Sequence, residues 1–182
     1  MASRFELFLQ RYRVLSGFII AAIYIIFARP SLLGMQIGFS IAALGLAIRF
    51  WAAGHIRKGS ELDLGGPYAY TRNPLYFGSF LLAAGFGITS GVWWLAAVCI
   101  AFFISIYFPV IRVETRELFD VFGAEYENYR RSVPLFFPRL AAVKKSERKF
   151  DFGLYLKNGE YNVTLGAAAA SAFLLARYYR II

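Results

Sequence analysis

The chain has 182 residues, 59% of them hydrophobic and 17% charged, with 20 basic and 11 acidic side chains that leave a net charge of +9. Soluble domains average about 25% charged residues, so this composition supplies too little polar surface for a water-soluble globule, and its wealth of Phe, Tyr and Ile excludes intrinsic disorder. One cysteine, Cys99, and one histidine, His55, rule out an internal disulfide, a cysteine-rich zinc site and a His–His metal site, so no metal is expected.

Charge-free stretches mark the expected spans. Residues 14–28 lie between Arg13 and Arg29; they are short of the roughly 20 residues that cross a hydrocarbon core, but both arginines can snorkel from the ends. A cleavable signal peptide is the rival reading, against which no small-residue cleavage site is clear and the apolar pattern resumes after Arg29-Pro30. Residues 32–53 form the second span, with Pro30 suited to a helix start and Trp51 and Arg49 near one interface. Residues 73–111 carry no charge; one helix of that length would reach about 58 Å against about 30 Å of hydrocarbon, so the run must fold back. Thr89-Ser90-Gly91 is the break, giving spans over 75–88 and 92–111. Residues 161–176, with Gly166 and four consecutive alanines, form a fifth span.

A cytoplasmic N-terminus puts sixteen basic residues inside and three, Arg29, Arg177 and Arg180, outside, which fixes the expected orientation. The positive surplus is then a topology signal and a lure for anionic headgroups. No nucleic-acid partner is expected, since no motif of a nucleic-acid reader is present. The fold class expected is all-α: one membrane domain over 1–182, an integral helical bundle of about five transmembrane helices plus a cytoplasmic interfacial amphipathic helix.

Two cytoplasmic segments, 55–78 and 112–138, carry nearly all the polar complexity. In the first, Gly65-Gly66-Pro67 makes a tight turn, and Pro74 holds Asn73 extended before the next helix begins. An ordered polar loop thus meets a helix N-terminus, which favours a ligand carboxylate or phosphate, while Tyr68, Tyr70 and Tyr76 offer flat faces for a purine. A plain interfacial belt of tyrosines with a proline cap is the alternative. In the second, Leu118, Phe122, Tyr126, Tyr129 and Val133 recur at helical spacing with Asp120, Glu127 and Arg131 opposite, an amphipathic helix expected to lie along the membrane surface. Glu114 falls at the margin of that stripe, where a carboxylate needs a partner; Arg112, Arg116 and Arg72 are candidates.

Gly66-Pro-Tyr-Ala-Tyr-Thr-Arg-Asn-Pro-Leu-Tyr-Phe-Gly78, followed after one hairpin by Glu114-x3-Leu118-x3-Phe122-Gly123-x2-Tyr126-x2-Tyr129-x3-Val133-Pro134, resembles the isoprenylcysteine carboxyl methyltransferase and phospholipid methyltransferase superfamily. Arg49-Phe-Trp-Ala is similar to that family's second-span pattern. The resemblance covers about residues 45–138. It implies an integral membrane enzyme using S-adenosyl-L-methionine, held on the cytosolic side between the loop and the helix bearing the glutamate. It carries cofactor contacts onto Leu62 and Asp63 through the backbone, Tyr68, Asn73, Pro74, Leu75, Tyr76 and Glu114. The cofactor's ammonium wants an anion, its carboxylate wants donors and its adenine an apolar slot; Glu114, the Arg72-Asn73 loop and the tyrosines supply one of each.

The acceptor implied is a lipid or lipid-modified molecule entering sideways from the bilayer. A carboxylate acceptor, as in an isoprenylcysteine, needs a positioning cation, for which Arg112 is the first candidate. An amine acceptor, as in phosphatidylethanolamine, needs a base such as Glu117 or Glu114. The family's substrate arginine would fall at Val110, two residues before Arg112. His55 is a further candidate base, more commonly a solvated interfacial histidine, and Cys99 is expected to serve packing. Two rivals remain open: an NADPH-binding reductase-like protein and a non-catalytic membrane scaffold.

Overall fold

The computed structural model describes residues 4–57, 61–143 and 149–181, with side chains from residue 15 onward. Gly59 and Ser60 of the first polar segment, and Lys58, Lys144, Lys145 and Arg148 of the basic count, lie outside the described residues, as do the side chains of Arg4, Arg11 and Arg13.

The described residues form six α-helices and no strand: α1 (Arg4–Phe27), α2 (Leu32–Ala53), α3 (Pro74–Thr89), α4 (Trp93–Ser132), α5 (Phe152–Lys157) and α6 (Tyr161–Tyr178), with a 3-10 turn over Gly66–Ala69. The expected all-helical class stands. By length and composition α2 and α4 are able to cross a membrane; Leu15–Phe27 and α3 are apolar but shorter.

Local chemistry explains the boundaries. Ser31, rather than Pro30, caps α2 by accepting the Gly34 amide at 3.1 Å. Pro74 occupies the first turn of α3, where its missing N–H costs nothing. The hairpin after α3 turns at Gly91, whose φ of +69° suits glycine, and the Ser90 hydroxyl donates to the Gly87 carbonyl at 2.6 Å. Helices α2 and α3 make the most extensive pairing in the chain. They approach so closely that a Cβ at Gly45 would lie 2.7 Å from the Gly78 carbonyl oxygen, a crossing only small residues permit in lipid.

Helix α4 departs from expectation. Its helical backbone runs on through the charged stretch after Arg112 without a break, with Pro109 inside it, and only Gly123 (φ 49°, ψ −119°) leaves helical geometry. The charges change what faces solvent, not the backbone, since Arg, Glu and Leu are all good helix formers. The stretch from Trp93 to Phe122 is thus about 45 Å long and outruns a hydrocarbon core of about 30 Å. The apolar stripe at its C-terminal end is covered by protein. Tyr126, Tyr129 and Val133 form a buried cluster with Leu118, Phe122, Leu62 and Leu64, so the stripe closes over the first polar segment.

The short helix α5 was not expected. Asp151 caps it by accepting the Gly153 amide at 2.7 Å. The Asn158 side-chain amide then donates to the Ala53 and Ile56 carbonyls at 3.0 and 3.3 Å, strapping the α5–α6 turn to the end of α2.

Candidate functional site

The site forms where the two polar segments meet. Residues 69–73 and 134–143 run together: the Arg72 amide donates to the Pro134 carbonyl at 2.9 Å, the Arg139 amide to Tyr70 at 3.0 Å and the Val143 amide to Ala69 at 3.1 Å. Side chains reinforce this pairing. The Thr71 hydroxyl donates to the Phe136 carbonyl at 2.8 Å and the Asn73 side-chain amide to Leu135 at 2.9 Å. Asn73 therefore spends its amide on the loop wall, while Pro74 is buried and Leu75 half-buried at the start of α3.

Within this frame Tyr76 donates its hydroxyl to Glu114 Oε1 at 2.6 Å, joining the first turn of α3 to α4 across 38 residues of sequence. Asp63 is buried, and its Oδ1 accepts the Gly65 amide at 3.1 Å, shaping the turn that leads to Tyr68. Tyr68 is 6% exposed, its carbonyl accepting the Tyr129 hydroxyl at 2.7 Å. Burial, and then Asp63, push the Tyr68 phenol well above its ordinary pKa, so it stays a hydrogen-bond donor throughout the working pH range. Arg72 reaches the Tyr126 hydroxyl with Nη1 at 3.4 Å.

Two buried polar atoms here have no hydrogen-bond partner among the described residues: Tyr68 Oη and Arg72 Nε. A buried orphan donor costs free energy that a bound acceptor restores. Leu62, Asp63, Tyr68, Arg72, Asn73, Pro74, Leu75, Tyr76 and Glu114 all belong to this one region, at the α3 N-terminus or on the elements packed around it.

Arg112 and Glu117 do not join them. Both are exposed, and the Arg112 guanidinium lies 4.7 Å over the Phe108 ring. His55 is buried rather than solvated: its Nδ1–H donates to the Trp51 carbonyl at 2.9 Å, and its ring fills the space where a Cβ on Gly66 would sit.

Beside the polar site an apolar cavity of about 660 Å³ opens between α1, α3, α4 and α6, with Arg49 of α2 at one end. Its wall includes Tyr107, whose ring lies 5.5 Å from that of Tyr76, so cavity and polar site share a boundary. The arginine is not free. It holds Glu160 through Nε and Nη2 at 2.6 to 2.9 Å, and its Nη1 donates to the Leu75 carbonyl at 3.1 Å and to Ser79 Oγ. Sequence reasoning missed Glu160. It stands 111 positions from Arg49, just before an apolar run, where an acidic residue reads as interfacial; its one signal was the need of Arg49 for a counter-charge within a span.

A helical membrane protein with a cluster of polar side chains around the start of α3 and an apolar cavity beside it is the class that fold and site define. The chain matches phospholipid methyltransferase over residues 25–125, more than half its length, and belongs to that family. It is similar to the nickel-cobalt-cadmium resistance protein NccN of Alcaligenes xylosoxydans xylosoxydans, 37% identical over 60% of this chain and 50% of that protein. It is also similar to the cobalt-zinc-cadmium resistance protein CzcN of Cupriavidus metallidurans, 39% identical over 62% of this chain and 50% of that one. A third relative is a methanethiol S-methyltransferase of Crocosphaera subtropica, 40% identical over 39% of this chain and 27% of that protein. The chain thus spans about half the length of the first two. No solved structure matches it. Among the described residues no three His, Cys, Asp or Glu side chains are placed to hold a metal ion.

The family implies S-adenosylmethionine as methyl donor, and the residues present fit it. Glu114 would offer an anion to its ammonium, Tyr68 Oη and Arg72 Nε are donors that would suit an acceptor such as its carboxylate, and Tyr76 and Leu62 would add apolar surface.

Proposed function

We propose that the chain is an S-adenosylmethionine-dependent methyltransferase whose acceptor reaches the site from within the bilayer. Bound S-adenosylmethionine would supply an activated methyl group; alignment and dryness then do most of the catalytic work. Glu114, oriented by Tyr76, would bind the ammonium, while Arg72 and Tyr68 donate to the carboxylate. The wall of residues 69–73 against 134–143 would exclude water. Tyr107, shared between cavity and site, marks where the acceptor would present its nucleophile. The observation that carries this reading is the Tyr76–Glu114 hydrogen bond, which unites the two sequence segments directly beside the apolar cavity.

The same reading makes α1, α2, α3, α4 and α6 five crossings of one bundle, with the N-terminus and both polar segments cytoplasmic. Isoprenylcysteine carboxylates and phosphatidylethanolamine are the acceptors that the sequence resemblance suggests. Geometry supports a hydrophobic acceptor better than either headgroup, because Arg112 and Glu117 stand outside the cavity wall. Calorimetric titration of the purified protein with S-adenosylmethionine and with NADPH tests the reading. Heat of binding with S-adenosylmethionine alone is expected; NADPH binding instead would make the chain reductase-like, and binding of neither would make it a scaffold.

A further inference from the structure

Four side chains in the described wall of the apolar cavity carry oxygen or nitrogen: Tyr24, Arg49, Ser79 and Tyr107. Three of them are engaged. The Tyr24 hydroxyl donates to the Phe86 carbonyl at 2.6 Å, and Ser79 Oγ donates to the Leu75 carbonyl at 3.0 Å while accepting from Arg49. Arg49 is further held by Glu160 and by the Leu75 carbonyl. The Tyr107 hydroxyl differs from these: it has no hydrogen-bond partner among the described residues, and it is not sealed in the interior.

The ring that carries this hydroxyl is fixed in place. It stacks on Phe103 with centroids 4.8 Å apart and lies 5.5 Å from Tyr76. Tyr107 also precedes Glu114 by seven residues of helical backbone. That is about two turns, so the two side chains leave the same face of α4 about 10 Å apart along its axis. One level of that face serves the polar site, and the other serves the cavity. A phenylalanine would make the same ring contacts, whereas a hydroxyl without a partner in an apolar wall costs free energy that a bound hydrogen-bonding group restores.

We propose that Tyr107 is the acceptor-binding residue of the cavity, its hydroxyl holding the polar head of a hydrophobic acceptor by one hydrogen bond at the boundary with the polar site. The inference rests on the methyltransferase reading and adds to it the residue that positions the acceptor's reacting atom. Held there, the head faces the level of Glu114 while the apolar body lies among Leu82, Phe86, Phe103 and Phe173. Fixing one reactant against the other is the main contribution a protein makes to a reaction of this kind.

The test uses the full chain in phosphatidylcholine nanodiscs, with empty nanodiscs as the blank, and two probes of matched size, octan-1-ol and 1-chlorooctane, of which only the alcohol makes an ordinary hydrogen bond. Tyr107→Phe keeps the ring and removes the hydroxyl. By calorimetry it should weaken octan-1-ol binding about twofold to tenfold, the worth of one neutral hydrogen bond. Binding of 1-chlorooctane and of S-adenosylhomocysteine should stay unchanged, as should the unfolding midpoint. With S-adenosylmethionine saturating, methyl transfer into a total membrane extract should slow by at least the same factor. Octan-1-ol binding wild type and Tyr107→Phe equally well would overturn the proposal, as would an equal loss for both probes, which would assign the effect to ring packing. A lowered midpoint in Tyr107→Phe would overturn it too, by giving the hydroxyl a structural partner. Wild type that binds no S-adenosylhomocysteine fails the methyltransferase reading, whereas the two probes judge Tyr107 by themselves.

Discussion

Tyr76 and Glu114 share a hydrogen bond of 2.6 Å that ties the start of α3 to α4 at the boundary of the polar site. Hydrogen bonds to charged groups contribute about 1.5–3 kcal/mol, so Glu114→Gln should weaken S-adenosylmethionine binding by about tenfold to a hundredfold. Tyr76→Phe should act in the same direction through Glu114. The double variant should then bind little more weakly than Glu114→Gln alone, because the two residues act as one unit. Calorimetry on the three variants measures this; additive losses would separate their roles.

Gly123 and Gly166 give a matched pair of alanine substitutions, since a Cβ at either meets nothing within 4 Å. Gly123 sits at φ +49° and ψ −119°, a region essentially restricted to glycine, so Gly123→Ala should cost about 1–3 kcal/mol in backbone strain alone. Gly166 lies inside α6, where Gly166→Ala should be neutral or stabilise by up to about 1 kcal/mol. Thermal unfolding in detergent reads both signs. Gly123→Ala should also loosen the site, because Tyr126, Tyr129 and Val133 reach Leu62 and Leu64 only after the chain turns there.

These positions show what the sequence made legible. The hairpin at Thr89-Ser90-Gly91 was readable because an uninterrupted apolar run cannot exceed the bilayer, and its one polar, glycine-bearing tripeptide had to turn. The stripe from Leu118 to Val133 was readable as one helix face by periodicity, but its partner was not: an apolar stripe fits lipid and the Leu62–Leu64 segment equally well. The onset of charge at Arg112 suggested a change of direction, whereas the turn waits for Gly123, since charge does not break a helix. Loop wall and ion pair depend on contacts between distant segments, Asn73 with Leu135 and Arg49 with Glu160, which no local pattern encodes.

The Arg49–Glu160 pair should behave as a unit in stability as well. Glu160→Ala leaves a guanidinium without its counter-charge, for a loss of about 3–5 kcal/mol. The double variant Arg49→Met with Glu160→Leu should be much less destabilised than the sum of the single changes. Unfolding midpoints of the four proteins give the coupling; additivity would mean the pair is not closed.

A reporter fused after Arg131 should read cytoplasmic, and one fused after Ile181 should read external, because basic residues concentrate on the side of the two polar segments. A cytoplasmic reading at both positions would show that α6 does not cross and would leave four crossings.

The central claim is methyl transfer from S-adenosylmethionine to a hydrophobic acceptor, and the direct measurement is incorporation of a tritiated methyl group into a total membrane extract by the purified protein. The account predicts label in the organic phase that depends on the wild-type protein and falls with Glu114→Gln at a fixed, subsaturating S-adenosylmethionine concentration. Equal label from wild type and Glu114→Gln under those conditions, or none above the protein-free control, would contradict it.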